Sequence, residues 1–423
     1  MQTLTPSQQN LIRTYQSGGN IYCSGMGGTG KSFMISEIRR LAENSGKQVV
    51  ICAPTGIAAL NVGGVTVHRL LGLSYSQPLP PIHNDVLSLA DVIIMDEVSM
   101  CRQDVFNHFM RAVRAAEKRR RKQVILFGDF GQLPPVLTPK ESELYYNYHN
   151  GLYAFSSPMW EQGRFQPIEL KEVVRQTDRV FIEKLQRVRN GDTSVLKSFE
   201  QNRVASPTAI TLCCTNNEVD MINQRELAKL KGRHRSYEMF QIGEANPNES
   251  IAERMLELAP GAKVIFINND RDGRWANGTK GVVVECLEKS VYVNLGNGNV
   301  VEVPYATWPV YAYRKTRDLA SFRKGHHVEG RIELCRVGSY SQLPLRLAWA
   351  ITVHKSQGQT YEEVNVAPGR FFAPGQLYVA LSRCKTEEGL HITGTLRPSD
   401  MHVDPEVMLF LQNESRRTLL QSA

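Results

Sequence analysis

Four short apolar runs in the first third of the chain, each ending in small or acidic residues, constrain the fold most. They are "NIYCSG" (20–25), "QVVICAPTG" (48–56), "ADVIIMDE" (90–97) and "QVILFGD" (123–129). Between the first two, "KSFMISEIRRLAENSG" carries apolar residues at helical spacing and closes at Gly46. Strands that alternate with helices predict a parallel sheet with both faces covered. Ligands bind such sheets at the carboxyl ends of the strands, which is where these polar endings fall.

A second set of runs, from about residue 207, predicts another α/β domain. "TAITLCCTNNEVD" predicts a strand that leads into a helix, "EEVNVAP" and "GLHITG" predict later strands, and "GQLYVALSRC" predicts a helix. Within this domain, short β-branched runs of period two are joined by Asn277-Gly278 and by "GNGN" at 296–299, which are hairpin signals. The sequence therefore predicts an α/β fold of two parallel-sheet domains, the second interrupted by a small β-barrel-like insertion.

The predicted boundaries follow from these runs. The first domain covers 1–170 and contains a small insertion at about 62–85. The second domain covers 171–262 and 340–410, the inserted β-domain covers 263–339, and 411–423 is a C-terminal tail.

The charge of the chain bears on the kind of partner that it can bind. The net charge is +8, which fits a polyanion without demanding one. The basic run "KRRRK" (118–122) is interpreted as a solvated helix end in preference to a nucleic-acid patch.

The eight cysteines are scattered with no C-x-x-C pair, as expected for small core residues in a reducing cytosol. No run of about 18 apolar residues and no secretory signal is visible, so we expect a cytoplasmic protein without membrane partners.

The segment "GMGGTGKS" (25–32) matches the phosphate-loop pattern G-x-x-x-x-G-K-[ST] and lies between a predicted strand and a predicted helix. Glycines such as Gly25, Gly28 and Gly30 let backbone N–H groups face phosphates, and the helix N-terminus adds positive potential. Lys31 is expected to reach the β- and γ-phosphates, with Ser32 on Mg²⁺. The alternative, a glycine-rich turn with a surface lysine, does not account for the strand and helix on either side.

Two later strand endings carry residues suited to hydrolysis of a bound nucleotide. In "VIIMDE", Asp96 can hold the magnesium shell, and Glu97 can orient or deprotonate the attacking water. In "LFGDFGQLPPV" (126–136), Gln132 is placed to sense the γ-phosphate, and Pro134-Pro135 stiffen the chain that leaves the site. Standing alone, each segment would be interpreted as an ordinary turn.

With these pieces in order, the chain resembles the Pif-type DNA helicases, in the RecD-like branch of superfamily one. The resemblance rests on eight ordered blocks: "LTPSQQ" (4–9), "GMGGTGKS", "APTGIAALNVGGVTVHRL" (53–70), "DEVSM" (96–100), "GDFGQLPPV" (128–136), "LKEVVRQ" (170–176), "LAWAITVHKSQGQT" (347–360) and "LYVALSRC" (377–384). The resemblance implies two RecA-like domains of the P-loop NTPase fold, with ATP between them and single-stranded DNA across their top. It also suggests a minimal core of bacterial or phage type.

The resemblance assigns further residues by position. Gln8 corresponds to a glutamine that reads adenine, Thr29 to a residue of the phosphate loop, and Arg175 and Arg383 to two arginines that reach the γ-phosphate. Gln357 and Gly358 are expected to face the nucleotide. Expected DNA contacts are Thr55, Gly56 and His68 in the first domain and Thr215, Asn216, His354, Lys355 and Ser356 in the second. Singly, His68 would be interpreted as a structural histidine, and either arginine as part of a surface ion pair.

Together these features predict an ATP- and Mg²⁺-dependent helicase that moves on single-stranded DNA and opens forked duplexes, and the resemblance implies the 5′→3′ direction. Val65 to Pro81 is the candidate for the wedge that separates the strands. We expect a monomer with no obligate protein partner. Two alternatives stay open at this stage: a translocase or remodeller that does not separate strands, and a P-loop ATPase that acts on protein.

Overall fold

The computed structural model describes residues 4–73, 82–117, 121–174, 178–246, 250–296, 298–316 and 330–422. The strands in these ranges are β1 (Ile21–Gly25), β2 (Val49–Ala53), β3 (Val65–Thr66), β4 (Val92–Met95), β5 (Gln123–Phe127), β6 (Gln166–Leu170), β7 (Ile210–Cys213), β8 (Arg235–Glu238), β9 (Phe240–Gly243), β10 (Met255–Leu258), β11 (Lys263–Phe266), β12 (Lys280–Cys286), β13 (Ser290–Asn294), β14 (Val300–Pro304), β15 (Ala306–Thr316), β16 (Arg331–Gln342), β17 (Leu345–Leu347), β18 (Ala350–Thr352), β19 (Val364–Val366) and β20 (Leu390–Ile392).

The α-helices in the same ranges are α1 (Pro6–Ser17), α2 (Lys31–Asn44), α3 (Gly56–Asn61), α4 (Val67–Leu71), α5 (Asp85–Leu89), α6 (Gln103–Glu117), α7 (Pro139–Tyr146), α8 (Pro158–Gly163), α9 (Arg179–Arg189), α10 (Asn216–Ala228), α11 (Gln376–Leu381) and α12 (Pro405–Ser422). The chain divides into two compact units. The first comprises Met1–Arg175, Tyr311–Arg336 and Asp404–Ala423, and the second comprises Gln176–Val310 and Val337–Val403.

The first unit is built on a parallel sheet of order β3-β2-β4-β5-β1-β6. Successive residues of each strand enter opposite cores: Ile93 and Met95 of β4 pack in one apolar cluster, and Val92 and Ile94 pack in the other. This alternation explains the continuous apolar runs, because a strand with both faces covered needs an apolar residue at every position. The α/β prediction for this part of the chain is confirmed.

The second unit contains a smaller parallel sheet, β18-β7-β19-β20. It also contains the predicted hairpin region. Strands β14, β13, β12, β11 and β17 form an antiparallel sheet in that order, with Gly278 and Gly296 in the left-handed turns that glycine favours.

The inserted region differs from the prediction in shape and extent. In the described pairings β14 and β17 are edge strands, so the barrel-like closure is not confirmed. Its core also reaches beyond 263–339, since Tyr237 of β8 and Leu256 of β10 are buried in the same cluster as Val264 and Phe266. These flanking strands are short, and their burial depends on partners far along the chain, so local periodicity did not include them.

The outer part of the β15–β16 ribbon belongs to the first unit. The hydroxyl of Tyr313 accepts a hydrogen bond from the N–H of Ile51 in β2 (3.0 Å), and the N–H of Ile332 donates to Oε1 of Gln48 (2.6 Å). These contacts satisfy polar groups on and beside β2, next to the short strand β3. Of the wedge candidate, residues 74–81 lie outside the described residues, and the remainder forms β3 and α4.

The predicted tail instead forms most of α12, which packs on the first unit. The ring of Phe410 stacks on Phe155, with centroids 4.2 Å apart, and also contacts Tyr22, Phe130 and Trp160. At the start of the helix, Tyr153 donates a hydrogen bond to Asp404 (2.8 Å). The sequence analysis assigned Phe410 to the second domain and 411–423 to a tail, because the ring partners of Phe410 lie far earlier in the sequence, between positions 22 and 160.

Replacing Phe410 with alanine should therefore lower the free energy of unfolding of the first unit by about 2–3 kcal/mol, since it removes one ring from a packed aromatic cluster. The matched control is Leu409→Ala on the same helix, because Leu409 is 60% exposed and should change stability by less than about 0.5 kcal/mol. Thermal and denaturant unfolding of both variants checks this. Equal losses would contradict the assigned packing.

Candidate active site

The phosphate-loop segment lies between β1, which ends at Gly25, and α2, which begins at Lys31. Gly28 and Gly30 have φ values of 89° and 87°, a left-handed backbone that L side chains rarely adopt. At Gly25 the constraint is packing, because a Cβ would lie 2.6 Å from Oγ1 of Thr29. The glycines thus allow a tight loop that connects β1 directly to the first turn of α2.

Lys31 and Thr29 are both bonded to the loop itself. Nζ of Lys31 donates to the carbonyl oxygens of Gly25 (2.6 Å) and Met26 (3.2 Å), and the Thr29 hydroxyl donates to Met26 (2.9 Å). The ammonium group therefore lies over the loop, where a bound phosphate would meet it. Ser32 follows on the first turn of α2.

Gln8 lies against the phosphate loop and is almost completely buried. Its Nε2 donates to the carbonyl of Thr29 (3.3 Å), and its Oε1 accepts from the N–H of Thr5 (3.1 Å) in the capping box of α1. The amide thus connects the first helix to the loop. Adenine recognition by this side chain stays a prediction.

Asp96 and Glu97 follow β4 at the same edge of the sheet. Asp96 is buried, and one of its oxygens accepts from the N–H of Glu97 (2.9 Å). Burial and the neighbouring carboxylate of Glu97 raise the pKa of Asp96 to about 7, against a smaller opposing effect of Lys31. Glu97 has φ 50° and ψ 43°, a left-handed conformation that is strained for a residue with a Cβ. A buried carboxylate and a strained acid at one strand end are typical of a functional site.

Gln132 comes from the loop after β5 and is held by a residue that the sequence analysis did not single out. Asp129 is completely buried, and its two oxygens accept from the N–H of Gly131 (3.1 Å) and from Nε2 of Gln132 (3.2 Å). Gly128 brings this loop close to the segment after Glu97, since a Cβ there would lie 2.9 Å from Val98. The signal for Asp129 was an acid at the end of an apolar strand, the pattern that did identify Asp96.

These residues share one edge because β4, β5 and β1 are adjacent parallel strands. Lys31, Asp96 and Gln132 therefore follow three neighbouring strand ends. Thr55 follows β2 and caps α3, accepting from the N–H of Ala58 (3.3 Å), with Gly56 as the first residue of that helix. His68 lies in α4 and is partly exposed.

In the second unit, the segment after β18 forms a tight turn. Leu347–Val353 is largely buried, as predicted, and His354 and Lys355 are partly exposed. Burial lowers the pKa of both side chains, and for Lys355 the nearby Arg346 adds to the lowering. Ser356 differs from expectation: it is completely buried, and its hydroxyl donates to the carbonyl of Val353 (2.7 Å). Its side chain holds the turn together and is not placed for a DNA contact.

Arg383 is 1% exposed and lies at the end of α11, bonded to this turn. Its guanidinium donates to the carbonyl oxygens of Val379 (2.9 Å), Ser356 (3.3 Å) and Gln359 (3.2 Å). The sequence predicted a side chain that projects toward phosphate. The structure shows one that is enclosed by carbonyl groups, because the turn folds over it.

The remaining predicted residues are dispersed. Thr215 caps α10 in a capping box with Glu218, Asn216 is exposed beside it, and Gln357 and Gly358 complete the turn after β18. Arg175 lies outside the described residues.

Among the side chains that the structure describes, no group of three or more His, Cys, Asp or Glu could hold a metal ion, and no helix is long and apolar enough to span a membrane. The eight cysteines are all free thiols.

Comparison with known proteins identifies relatives over the full chain. The family model described as PIF1-like helicase matches residues 3–198. ATP-dependent DNA helicase PIF1 from Danio rerio is 31% identical over 452 residues, covering 100% of this chain and 66% of that protein. ATP-dependent DNA helicase Pif1 from Bdellovibrio bacteriovorus is 29% identical, covering 96% of this chain and 91% of that protein. The chain thus spans slightly less than two thirds of the Danio relative and nearly all of the bacterial one.

Solved structures of Pif1 helicases are also similar to this chain in sequence and in fold. A Pif1 helicase double mutant from Bacteroides is 30% identical with a TM-score of 0.82, covering 98% of this chain and 97% of that one. This chain belongs to the PIF1-like helicase family. Bacteroides Pif1 in complex with ADP-AlF3 and ssDNA is 29% identical with a TM-score of 0.69, covering 98% of each chain. A further structure, of DNA unwinding at forked dsDNA by two coordinating Pif1 helicases, is 28% identical with a TM-score of 0.68 and covers 98% of each chain.

Membership of the PIF1-like family, whose named members here are ATP-dependent DNA helicases, confirms the resemblance and the class of enzyme. It also confirms the P-loop helicase fold. The roles of individual residues rest on the positions described above.

The half-buried His354 predicts a pH dependence of stability. Since burial lowers its pKa below the ordinary value of 6.5, the unfolded chain takes up a proton at this residue that the folded chain resists. Stability should therefore fall as the pH drops below about 6.5, and His354→Gln should lose less between pH 7.5 and pH 5.5 than the unchanged protein. Thermal midpoints of the two proteins at both pH values give this difference. Burial also lowers the pKa of His108, but this residue is present in both proteins and contributes equally to both losses. Identical losses would show that His354 is not titrating under burial.

Proposed function

We propose that this PIF1-like helicase hydrolyses ATP at the strand ends of the first unit and couples hydrolysis to 5′→3′ movement on single-stranded DNA. The observation that carries the proposal is the convergence of Lys31, the Asp96–Glu97 pair and Gln132 on three adjacent strand ends. A pure binding module would have no use for a strained glutamate beside a buried aspartate. The complexes of Bacteroides Pif1 with ADP-AlF3 and ssDNA support nucleotide and DNA as ligands of this chain.

The residues present fit a magnesium ion. Asp96 is a buried carboxylate whose pKa is raised by burial and by the neighbouring carboxylate of Glu97, so a cation would be favoured beside it, and Ser32 is placed on the first turn of α2. Mg²⁺ usually takes one or two protein ligands and completes its shell with phosphate oxygens and water, so Ser32 and Asp96 would be sufficient. When bound, the ion would neutralise charge on the β- and γ-phosphates.

The other roles in ATP hydrolysis are proposed for individual side chains. Lys31 and the loop N–H groups bind and orient the phosphates. Glu97 is proposed to orient the attacking water and accept its proton, and Gln132, fixed by Asp129, is proposed to contact the γ-phosphate. Arg175 and Arg383 are proposed, on the family resemblance, to stabilise charge on the transferred phosphoryl group.

DNA contacts are proposed at the helix starts and turns that follow strands. Thr55, Gly56 and His68 would serve in the first unit, and Thr215, Asn216, His354 and Lys355 in the second. Helix N-termini and backbone N–H groups are common phosphate contacts that carry no sequence information. We propose a monomer as the active unit, to be tested against the paired arrangement described for Pif1 helicases on a fork.

Lys31→Ala tests the ATP site. ATP turnover and unwinding should be lost, while affinity for single-stranded DNA is kept, because the proposed DNA contacts lie outside the phosphate loop. The measurement is ATP hydrolysis with and without single-stranded DNA, together with DNA binding by fluorescence anisotropy. Lys47→Ala, which removes an exposed lysine just after α2, is the matched control and should behave as the unchanged protein. If Lys31→Ala also loses DNA binding, Lys31 has a folding role; if single-stranded DNA does not stimulate turnover of the unchanged protein, an ATPase acting on protein replaces the proposal.

Direction is tested with tailed duplexes. A duplex with a 5′ single-stranded tail should be unwound, and one with only a 3′ tail should not. Stacking to be broken averages about 1.4 kcal/mol per base-pair step, which ATP hydrolysis can supply. Preference for the 3′ tail would reverse the proposed direction, and stimulated ATPase without unwinding of either substrate would indicate a translocase.

A further inference from the structure

A cleft of about 280 Å³ lies on the first unit at the edge of the sheet opposite the phosphate loop. Gly19 and Asn20 line it immediately before β1, and Val124 lines it near the start of β5, whereas the phosphate loop follows the other end of β1. The remaining wall comes from the ends of α6 and α8, with Arg114 and Arg164. This cleft is separate from every residue assigned above to ATP or DNA.

The cleft is strongly basic. Arg114, Arg121, Lys122 and Arg164 line it with a single acid, Glu117. Among the described residues that line the cleft, the excess of positive charge is thus three. This charge favours an anionic ligand.

Two of the arginines have few partners. Arg114 donates to Oε1 and to the carbonyl of Gln162, and Lys122 donates to the carbonyls of Ser88 and Ala90, so both are held in place. The side chain of Arg121 makes one long contact, to the carbonyl of Gly18 (3.4 Å). The side chain of Arg164 has no hydrogen-bond or ion-pair partner among the described residues and is exposed. The guanidinium groups of Arg121 and Arg164 can therefore donate to a ligand.

Arg164 also occupies an unfavourable backbone conformation. It ends α8 with φ 48° and ψ 47°, the left-handed position at which glycine is the usual residue. A side chain with a Cβ is strained there, and no described residue uses the guanidinium to offset that strain. Strain of this kind is a reason to look for a ligand of the side chain.

We propose that this basic cleft binds phosphodiester groups of DNA, as a second contact separate from the strand that drives ATP turnover. Arginine is suited to phosphate oxygens because its planar fork donates two hydrogen bonds at once. None of the described lining residues is aromatic, so the cleft offers no platform for stacking a base, and a free nucleotide is a poorer match than a backbone phosphate. The proposal rests on the helicase function proposed above: a helicase at a fork faces a duplex and a displaced strand in addition to the strand it follows, so a second phosphate contact has a ligand available.

The principal test compares two double variants that each remove two positive charges from the first unit. Arg121→Ala/Arg164→Ala alters the cleft, and Arg39→Ala/Arg40→Ala removes two exposed arginines of α2 that pair with Glu43 and Glu37. Affinity is measured at several salt concentrations for a forked duplex and for the shortest single strand that fully stimulates ATP turnover.

The cleft variant should bind the forked duplex roughly tenfold or more weakly. The slope of log affinity against log salt should decrease by about 0.9 for each duplex phosphate that the protein no longer neutralises. Its binding of the short strand and its stimulated ATP turnover should be unchanged, and the α2 variant should match the unchanged protein throughout. Unchanged fork affinity and salt slope would overturn the proposal. So would an equal reduction in affinity for the short strand, since the cleft would then belong to the main strand path.

Single variants of Arg164 separate binding from folding. Arg164→Gly removes the side chain and relieves the strained backbone, so its thermal midpoint should be equal to or above that of the unchanged protein. Its affinity for the forked duplex should nevertheless fall, and Arg164→Lys should retain most of the affinity because it keeps the charge. Fork binding by Arg164→Gly at the level of the unchanged protein would overturn the role of this residue in the cleft.

Discussion

The packing of one aromatic cluster holds the catalytic edge of the first unit in place. Tyr22 lies in β1, three residues before the phosphate loop, and Phe130 lies between Asp129 and Gln132 in the loop after β5; their ring centroids are 5.8 Å apart. Trp160 and Phe410 close the cluster from α8 and α12. Because β1 and β5 are paired strands, this contact packs next to both the phosphate loop and the loop that carries Gln132. The site residues depend on a core that lies directly beneath them.

At Glu97 the buried surroundings hold the backbone in a strained conformation. Glu97 adopts a left-handed conformation after a buried strand, with Asp96 bonded to its N–H. A non-glycine residue in this region costs of order 1 kcal/mol or more and persists when its surroundings leave no alternative. Gly28 and Gly30 take the same region of conformational space without that cost. At this edge of the sheet, therefore, glycine occupies the left-handed positions of the phosphate loop, whereas Glu97 adopts the same conformation at a cost in free energy.

Local sequence signals were sufficient for much of the fold. The apolar runs that end at Gly25, Asp96 and Asp129 predicted three strands of a parallel sheet and the edge at which their endings meet, because burial on both faces demands apolar residues at every position. That the three strands are adjacent is known only from the structure. Partners distant in sequence were not predictable in this way. The helix that contains Phe410 was divided between the second domain, up to residue 410, and a tail, because the packing of Phe410 against Phe155 and Trp160 cannot be inferred from nearby residues. The burial of Ser356 was missed for the same reason, because its environment includes Arg383 from a separate segment.

Arg383 has a structural role in addition to the catalytic role proposed for it. A buried guanidinium must have its donors satisfied, and here the carbonyl oxygens of Ser356 and Gln359 satisfy them in the turn that carries His354 and Lys355. Phosphate oxygens are stronger acceptors than carbonyl oxygens, because the hydrogen bond is then between two charged groups. If Arg383 exchanges carbonyl partners for the γ-phosphate, the turn loses two of its hydrogen bonds at the same moment. Nucleotide contact and the position of the proposed DNA-binding side chains would then be linked through a single residue, without any need for a longer pathway.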